Sequence, residues 1–264
     1  MAEVLLSVSN VETYYGPIMA LRGVSFTVPA GAIVTILGAN GAGKTVTMKM
    51  LTTLLRPSAG NARVAGFDIV HHAAQVRRVI GYVPQLVSAD GALTGYENLL
   101  IFAKLYDIPR AERGDRIGEA LTFMGLGEVR DKLVREYSGG MIRRLEIAES
   151  MLHRPPVLFL DEPTVGLDPA AREAVWERVA DLRTRYGTTI VFTTHLMEEA
   201  DHLCTRLAIL RRGRVVASGT PRELKAAVGP GTTMDDVFIH FAGAEAGGAY
   251  RETSQVRRTA QRLE

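Results

Sequence analysis

The chain has 264 residues, 47% of them hydrophobic and 23% charged, with a formal net charge of +2. That balance describes a globular protein whose core needs no disulfide staples, and its nearly cancelling charges give no electrostatic case for a nucleic-acid partner. A lone cysteine excludes an internal disulfide framework, and no uninterrupted apolar run approaches the roughly 18 residues of a membrane span.

In chain order, short strands are expected near Leu5–Val11 and Val24–Val28, followed by the apolar run Ala32–Leu37. A glycine-rich loop comes next, then a helix carrying Val46, Met50, Leu51 and Leu54 as far as Pro57. Val79–Val83 reads as a further strand ending at Pro84 and Gln85. From Val87 to Arg154 the pattern is helical. Thr94 to Glu97 forms a capping box ahead of Leu99, Leu100, Ala103 and Tyr106. A second helix carries Ile117, Leu121 and Met124 and stops at Gly125. A third opens at Ser138-Gly139-Gly140, places Met141, Leu145, Ala148 and Leu152 on one face, and stops before Pro155.

Strands resume at Val157–Leu160, Thr188–Thr194 and Leu207–Leu210, with helices between them. Continuous apolar strands alternating with helices predict an α/β fold built on a mainly parallel sheet. The helical insertion at about 87–154 divides its core into 1–86 and 155–225. Residues 226–264 form a C-terminal extension, in which Met234–Phe241 can dock as a short helix while the end is too poor in apolar residues to be held down. Cys204, among Leu203, Leu207 and Ile209, reads as a buried structural thiol. The first residues show no basic region followed by an apolar stretch, so no secretory signal is expected and the chain is expected to stay in the cytosol.

Two helix starts suit an anion, because free N–H groups and the positive end of the helix dipole converge there. The first is Gly38-Ala39-Asn40-Gly41-Ala42-Gly43-Lys44-Thr45, the phosphate-loop pattern. Its glycines let backbone N–H groups curl around phosphates, Lys44 reaches the β- and γ-phosphates of a nucleotide, and the Thr45 hydroxyl holds Mg²⁺. The second is the Ser138-Gly139-Gly140 turn. Asp161 and Glu162 follow the buried strand Val157–Leu160, at the sheet edge where ligands of parallel sheets bind. There Asp161 is placed to orient Mg²⁺ and Glu162 to polarise the water that attacks the γ-phosphorus. His195 ends another strand at the same edge and suits a γ-phosphate contact. Gln85 is either an ordinary turn residue or an amide that contacts Mg²⁺ or the lytic water. Asp168 followed by Pro169 is a ready helix start, and Tyr15 is either a packing aromatic or a ring that stacks on a purine.

In this order and spacing the motifs resemble the ATP-binding-cassette ATPases over roughly Leu5 to Glu223, and Tyr137 to Met141 occupies the place of the family signature. The resemblance implies a phosphate-loop core with an N-terminal antiparallel β portion and an inserted helical subdomain, and ATP with Mg²⁺ as cofactors. It implies that Tyr15 stacks on adenine, that residues Gly38 to Thr45 hold the phosphates with Val46 beside them, and that Gln85 senses Mg²⁺ and a membrane partner. Asp161 becomes the metal-orienting acid, Glu162 the catalytic base, Asp168 part of a loop crossing between subunits, and His195 the switch. It further implies a head-to-tail pair in which Ser138, Gly139 and Gly140 of one subunit cap the nucleotide held by Lys44 of the other.

Within the family, the stretch from Tyr137 to Pro169 and the segment Thr233–Gly243 are most similar to drug-resistance exporters of the daunorubicin type. The expected setting is therefore the cytoplasmic face of the membrane, under a separate membrane-spanning permease. An importer ATPase, or a soluble ATPase acting on DNA or ribosomes, is the alternative. Ala39 stands where Pro is usual, Val46 where a hydroxyl residue is common, Ile142 where Arg is usual and Glu149 where Arg or Ala is common.

Overall fold

The computed structural model describes residues 3–243. Strands β1 (Val4–Tyr15) and β2 (Ile18–Pro29) pair antiparallel, and β4 (Ala59–Val64) and β5 (Phe67–Asp68) extend them into a four-stranded sheet ordered β2-β1-β4-β5. The second sheet is ordered β10-β9-β3-β8-β7-β6. It comprises β3 (Ile33–Leu37), β6 (Ile80–Val83), β7 (Val157–Asp161), β8 (Thr189–Thr194), β9 (Arg206–Arg211) and the edge strand β10 (Arg214–Gly219). All its pairs are parallel except β10 with β9. The architecture is therefore an α/β fold with a mainly parallel sheet and an antiparallel N-terminal portion.

Every residue of β3, β7 and β8 is buried, which is why these strands read as unbroken apolar or threonine-rich runs. The sheet separates two cores. Ile33 and Leu37 face one, with Leu158, Leu160 and Phe192; Val34 and Ile36 face the other, with Phe159 and Val191. Helix α1 (Lys44–Leu51) fills the space between the two sheets through Met48 and Met50, both fully buried. It is shorter than its apolar spacing predicted. Thr52 Oγ1 bonds back to Met48 O, Thr53 turns left-handed at φ +65°, and Leu54 stands exposed. A hydroxyl that competes for helix carbonyls ends the helix before Pro57 is reached.

Helices α3 (Gly95–Leu105), α4 (Arg110–Phe123) and α5 (Gly139–Met151) form the helical insertion between β6 and β7, with 3₁₀ turns at Gly127–Val129 and Val134–Glu136. The Thr94–Glu97 capping box is present, and Gly125 is left-handed at φ +67° after α4. Several elements carry no clear sequence signal: the half-exposed strands β4 and β10, the six-residue helix α2 (Ala73–Arg78) and helix α8 (Pro221–Val228). Strands β1 and β2 also run well beyond their expected ends.

Helices α6 (Pro169–Tyr186) and α7 (Met197–Leu203) connect β7 to β8 and β8 to β9. Helix α8 spans the expected boundary at residue 225. Helix α9 (Met234–Ala242) follows, with Val237 and Phe238 buried in the same core as Leu207 and Ile209. Nine residues are too few for a stable isolated helix. Full burial of two such side chains, about 1.5–3 kcal/mol each, is what holds it. Cys204 is buried in this region, donates to Ala200 O at 2.6 Å, and burial pushes its thiol up to about 12. The expectation for the end of the extension lies outside the described residues.

Candidate active site

Four segments meet at the carboxyl edge of the parallel sheet. The first is the loop from Gly38 to Gly43 between β3 and α1. At Gly43, φ is +107° and a Cβ would come within 2.8 Å of the Leu21 side chain; at Gly38 a Cβ would lie 2.7 Å from Leu210 O. Only glycine fits either position. No side chain caps the start of α1, so its first N–H groups remain available as donors at the positive end of the helix dipole.

Lys44 Nζ donates to Gly38 O at 2.9 Å and to Ala39 O at 3.3 Å, and lies 3.0 Å from Glu162 Oε1. Both side chains are about 95% buried, with exposures of 5% and 6%. The second carboxylate oxygen of Glu162 lies 3.3 Å from His195 Nδ1. Burial alone would raise the Glu162 carboxyl, but His195 and Lys44 outweigh it and hold the group down at about 2. Glu162 also has left-handed backbone, at φ +47°, a conformation that costs a non-glycine residue energy and persists only where surroundings enforce it. Here its N–H is fixed by Thr193 Oγ1 at 2.9 Å.

Asp161 is fully buried at the end of β7. Its Oδ1 accepts from Thr193 Oγ1 and, at 3.4 Å, from Thr45 Oγ1, while its Oδ2 is buried with no hydrogen-bond partner. Burial pushes the carboxyl up despite the hydroxyls that favour its charged form. An orphaned carboxylate oxygen beside a threonine hydroxyl suits a divalent cation, which would supply the missing positive charge. Among the described residues no group of three or more His, Cys, Asp or Glu side chains could hold a metal ion. A cation here would therefore take part of its coordination from phosphate oxygens and water, the usual manner of Mg²⁺.

A cleft of about 430 Å³ opens beside these groups; Asp161 does not line it but meets it through Thr45. Asn40, Gly41, Gly43, Lys44, Thr45 and Val46 line it from the loop and α1, Glu162 and Val165 from beyond β7, Gln85 from the end of β6, His195 from the end of β8, and Ala20 from β2. Gly38 and Ala42 lie within the loop itself, and Ala42 N donates to Ala39 O. The side chain of Tyr15, expected to stack on adenine, lies outside those described.

Ser138, Gly139, Gly140 and Asp168 do not line this cleft. Ser138 is the N-cap of α5, its hydroxyl accepting from Met141 N at 3.3 Å. Ser138 and Gly139 are exposed. Gly140 packs so tightly against α6 that a Cβ would come within 2.8 Å of Ala171 Cβ. Asp168 caps α6, accepting from Ala171 N at 2.9 Å with Pro169 in the first turn.

Sequence reasoning passed over Thr193, whose hydroxyl on β8 binds both the Asp161 carboxylate and the Glu162 N–H at the end of β7. Its only signal was its place two residues before His195 in a buried strand. It also did not foresee that the polar side of α5 turns inward, where Arg143, Glu146 and Glu149, the last named only as a departure from the family pattern, are all buried.

A glycine cradle facing the buried Glu162 carboxylate across one cleft of a parallel sheet, with Asp161 buried beside it, belongs to the phosphate-loop nucleoside triphosphatases. The family model described as ABC transporter matches residues 21–165, more than half of the chain. The chain belongs to that family and is an ATP-binding-cassette ATPase. It is 46% identical over 224 residues to the daunorubicin/doxorubicin resistance ATP-binding protein DrrA of Streptomyces peucetius, spanning 85% of this chain and 68% of that protein. It is 44% identical over 215 residues to the Nod factor export ATP-binding protein I of Burkholderia lata, 81% of this chain and 70% of that protein. Among solved structures it is similar to the ATP-binding cassette MJ0796, a dimer in a post-hydrolysis state bound to ADP and Pi. That match has a TM-score of 0.72 and 26% identity, and covers 81% of this chain and 98% of the other.

Proposed function

We propose that this chain is the ATP-hydrolysing subunit of an exporter of drugs, antibiotics or lipid-like compounds, acting as a head-to-tail pair beneath a separate membrane-spanning subunit. The observation that carries the pairing is the separation of the two anion sites: the Ser138 turn is exposed on α5, away from the cleft lined by Lys44 and Glu162. A second copy, turned to face the first, brings that turn onto the γ-phosphate. The dimeric state of the MJ0796 cassette supports pairing of two copies. The names of the DrrA and Nod factor relatives support export. Among the described residues no helix is long and apolar enough to cross a membrane. This reading places the chain at the cytoplasmic face of the membrane, beneath a pore made by another chain.

In this reading the loop N–H groups and Lys44 bind the phosphates, and Thr45, Asp161 and Gln85 hold Mg²⁺. Bound there, Mg²⁺ would neutralise charge on the β- and γ-phosphates. Glu162 polarises the attacking water, and His195 holds the γ-phosphate. When Lys44 turns to the phosphates, Glu162 loses a cation and becomes more basic at the moment a base is needed. Each signature turn adds about 0.3–1 kcal/mol to the bound anion, or ~2 kcal/mol when partly buried. That is a modest bias, lost on hydrolysis, and enough to open the pair again.

The test is light scattering of Glu162→Gln with and without ATP and Mg²⁺, alongside purification of the chain from membranes. ATP-dependent doubling of mass and recovery with one polytopic protein are expected. A chain that stays monomeric with ATP bound, or that purifies with ribosomes or DNA instead, would defeat the proposal.

A further inference from the structure

Helix α5 presents the Ser-Gly-Gly turn at its first end and, one turn on, directs a charged pair into the interior. Arg143 Nη1 lies 3.0 Å from Glu146 Oε2, with both side chains buried. A buried ion pair is a poor source of net stability, because desolvation offsets its attraction and packed apolar residues commonly do as well. Its contacts are more informative than its energy. Arg143 donates through Nη1 to Pro84 O at 2.8 Å and through Nη2 to Gln85 O at 3.1 Å. Glu146 Oε1 accepts from the Ser88 backbone N–H and, at 3.0 Å, from its hydroxyl.

These bonds hold the segment 84–88 at both of its ends. The segment leaves β6 for the helical insertion, and Gln85 within it lines the nucleotide cleft. A guanidinium suits the task because its rigid planar fork reaches two successive carbonyls at once, which a lysine ammonium on a flexible stem does not reproduce. The carboxylate satisfies the Ser88 N–H and balances the arginine charge.

We infer that the Arg143–Glu146 pair is a strut that positions Gln85 in the cleft from the signature helix, so that Gln85 follows α5 rather than the sheet. Arg143 and Glu146 are positioning residues, not catalytic ones. The inference rests on the reading of Gln85 as a group that contacts the cation or the lytic water.

Two measurements on the full chain test it. Amide hydrogen exchange, which needs no nucleotide, should show Ser88 and its neighbours exchanging about tenfold faster in Arg143→Lys and Glu146→Ala, with α3 unchanged. ATP turnover is then followed through a double-mutant cycle with Gln85→Ala. Arg143→Lys should slow turnover by about tenfold to a hundredfold with ATP affinity within about twofold of the parent, as expected of a misplaced group. The double variant should be no slower than Gln85→Ala alone. Multiplying defects, unchanged exchange at Ser88, or a slow Gln85→Ala beside a fully active Arg143→Lys would each overturn the strut. Full turnover by Gln85→Ala would instead remove the reading of Gln85 itself, and the inference with it. Should Arg143→Lys fail to fold, Arg143→Met combined with Glu146→Gln removes both buried charges together and runs through the same cycle.

Discussion

Lys44 Nζ and Glu162 Oε1 stand 3.0 Å apart at the buried edge of the sheet, so the proposed phosphate-binding cation and the proposed base hold each other. Under the proposed roles, a γ-phosphate entering the loop would compete with Glu162 for that ammonium, and binding and activation of the base would be one exchange of partners.

Glu162→Gln removes the negative partner without changing shape. Lys44 then keeps its loop carbonyls but has no carboxylate to leave for phosphate, so ATP affinity should be equal to or tighter than that of the parent. Hydrolysis should fall by about 10²–10⁴, the usual contribution of a positioned base. Single-turnover phosphate release, with equilibrium binding of a fluorescent ATP analogue, measures both. Normal turnover would remove Glu162 from that role.

Ser138→Arg places a bulky cation at the exposed cap of α5. Nucleotide binding by single chains should stay nearly intact while ATP-dependent pairing is lost. Lys44→Ala should lose most nucleotide affinity. Mixing the two variants should restore one composite site and partial activity in the assembled transporter, read across a range of ratios. Zero activity at every ratio would count against the head-to-tail arrangement.

Burial, and then the neighbouring charge of Glu146, push Glu149 up to about 8 from 4.5. A carboxyl with a raised folded-state pKa binds its proton more tightly when folded. Its contribution is therefore fully present below pH 4.5 and is lost as pH rises through about 8. Glu149→Gln keeps the neutral form at all pH values. Its melting temperature should match the parent near pH 5 and exceed it by a growing margin towards pH 8. A parallel pair of melting curves across that range would show Glu149 to be ionised at no cost.

Phe238→Ala empties a site that is 2% exposed between α9 and the sheet. A loss of about 3–5 kcal/mol is expected from denaturant unfolding, as for other buried phenylalanines. A loss under about 1 kcal/mol would mean that α9 is not held by the core.

Much of the fold was legible because β3, β7 and β8 are buried on both faces and leave continuous apolar signatures. The half-exposed strands were not. In β4, Ala62 and Val64 are buried while the other four residues are exposed, a pattern that sequence alone does not separate from a loop. The buried side of α5 escaped for a different reason. Arg143, Glu146 and Glu149 are inside because pairing, hydrogen bonding or neutralisation makes charge tolerable there, and apolar periodicity cannot register that.

The amino-acid sequence by itself determined the local chemistry: a glycine loop before Lys44 and Thr45, an acid pair after one buried strand, a histidine after another, and a serine cap on a third helix. Such features depend on neighbours in the chain, so spacing suffices to read them. Only the tertiary structure decided which of them share a cleft. Strand order brings the ends of β3, β6, β7 and β8 to one edge, and close packing of α5 on α6 leaves the Ser138 turn outside it. Distances between segments far apart in sequence follow from how the layers pack, and no local pattern encodes them.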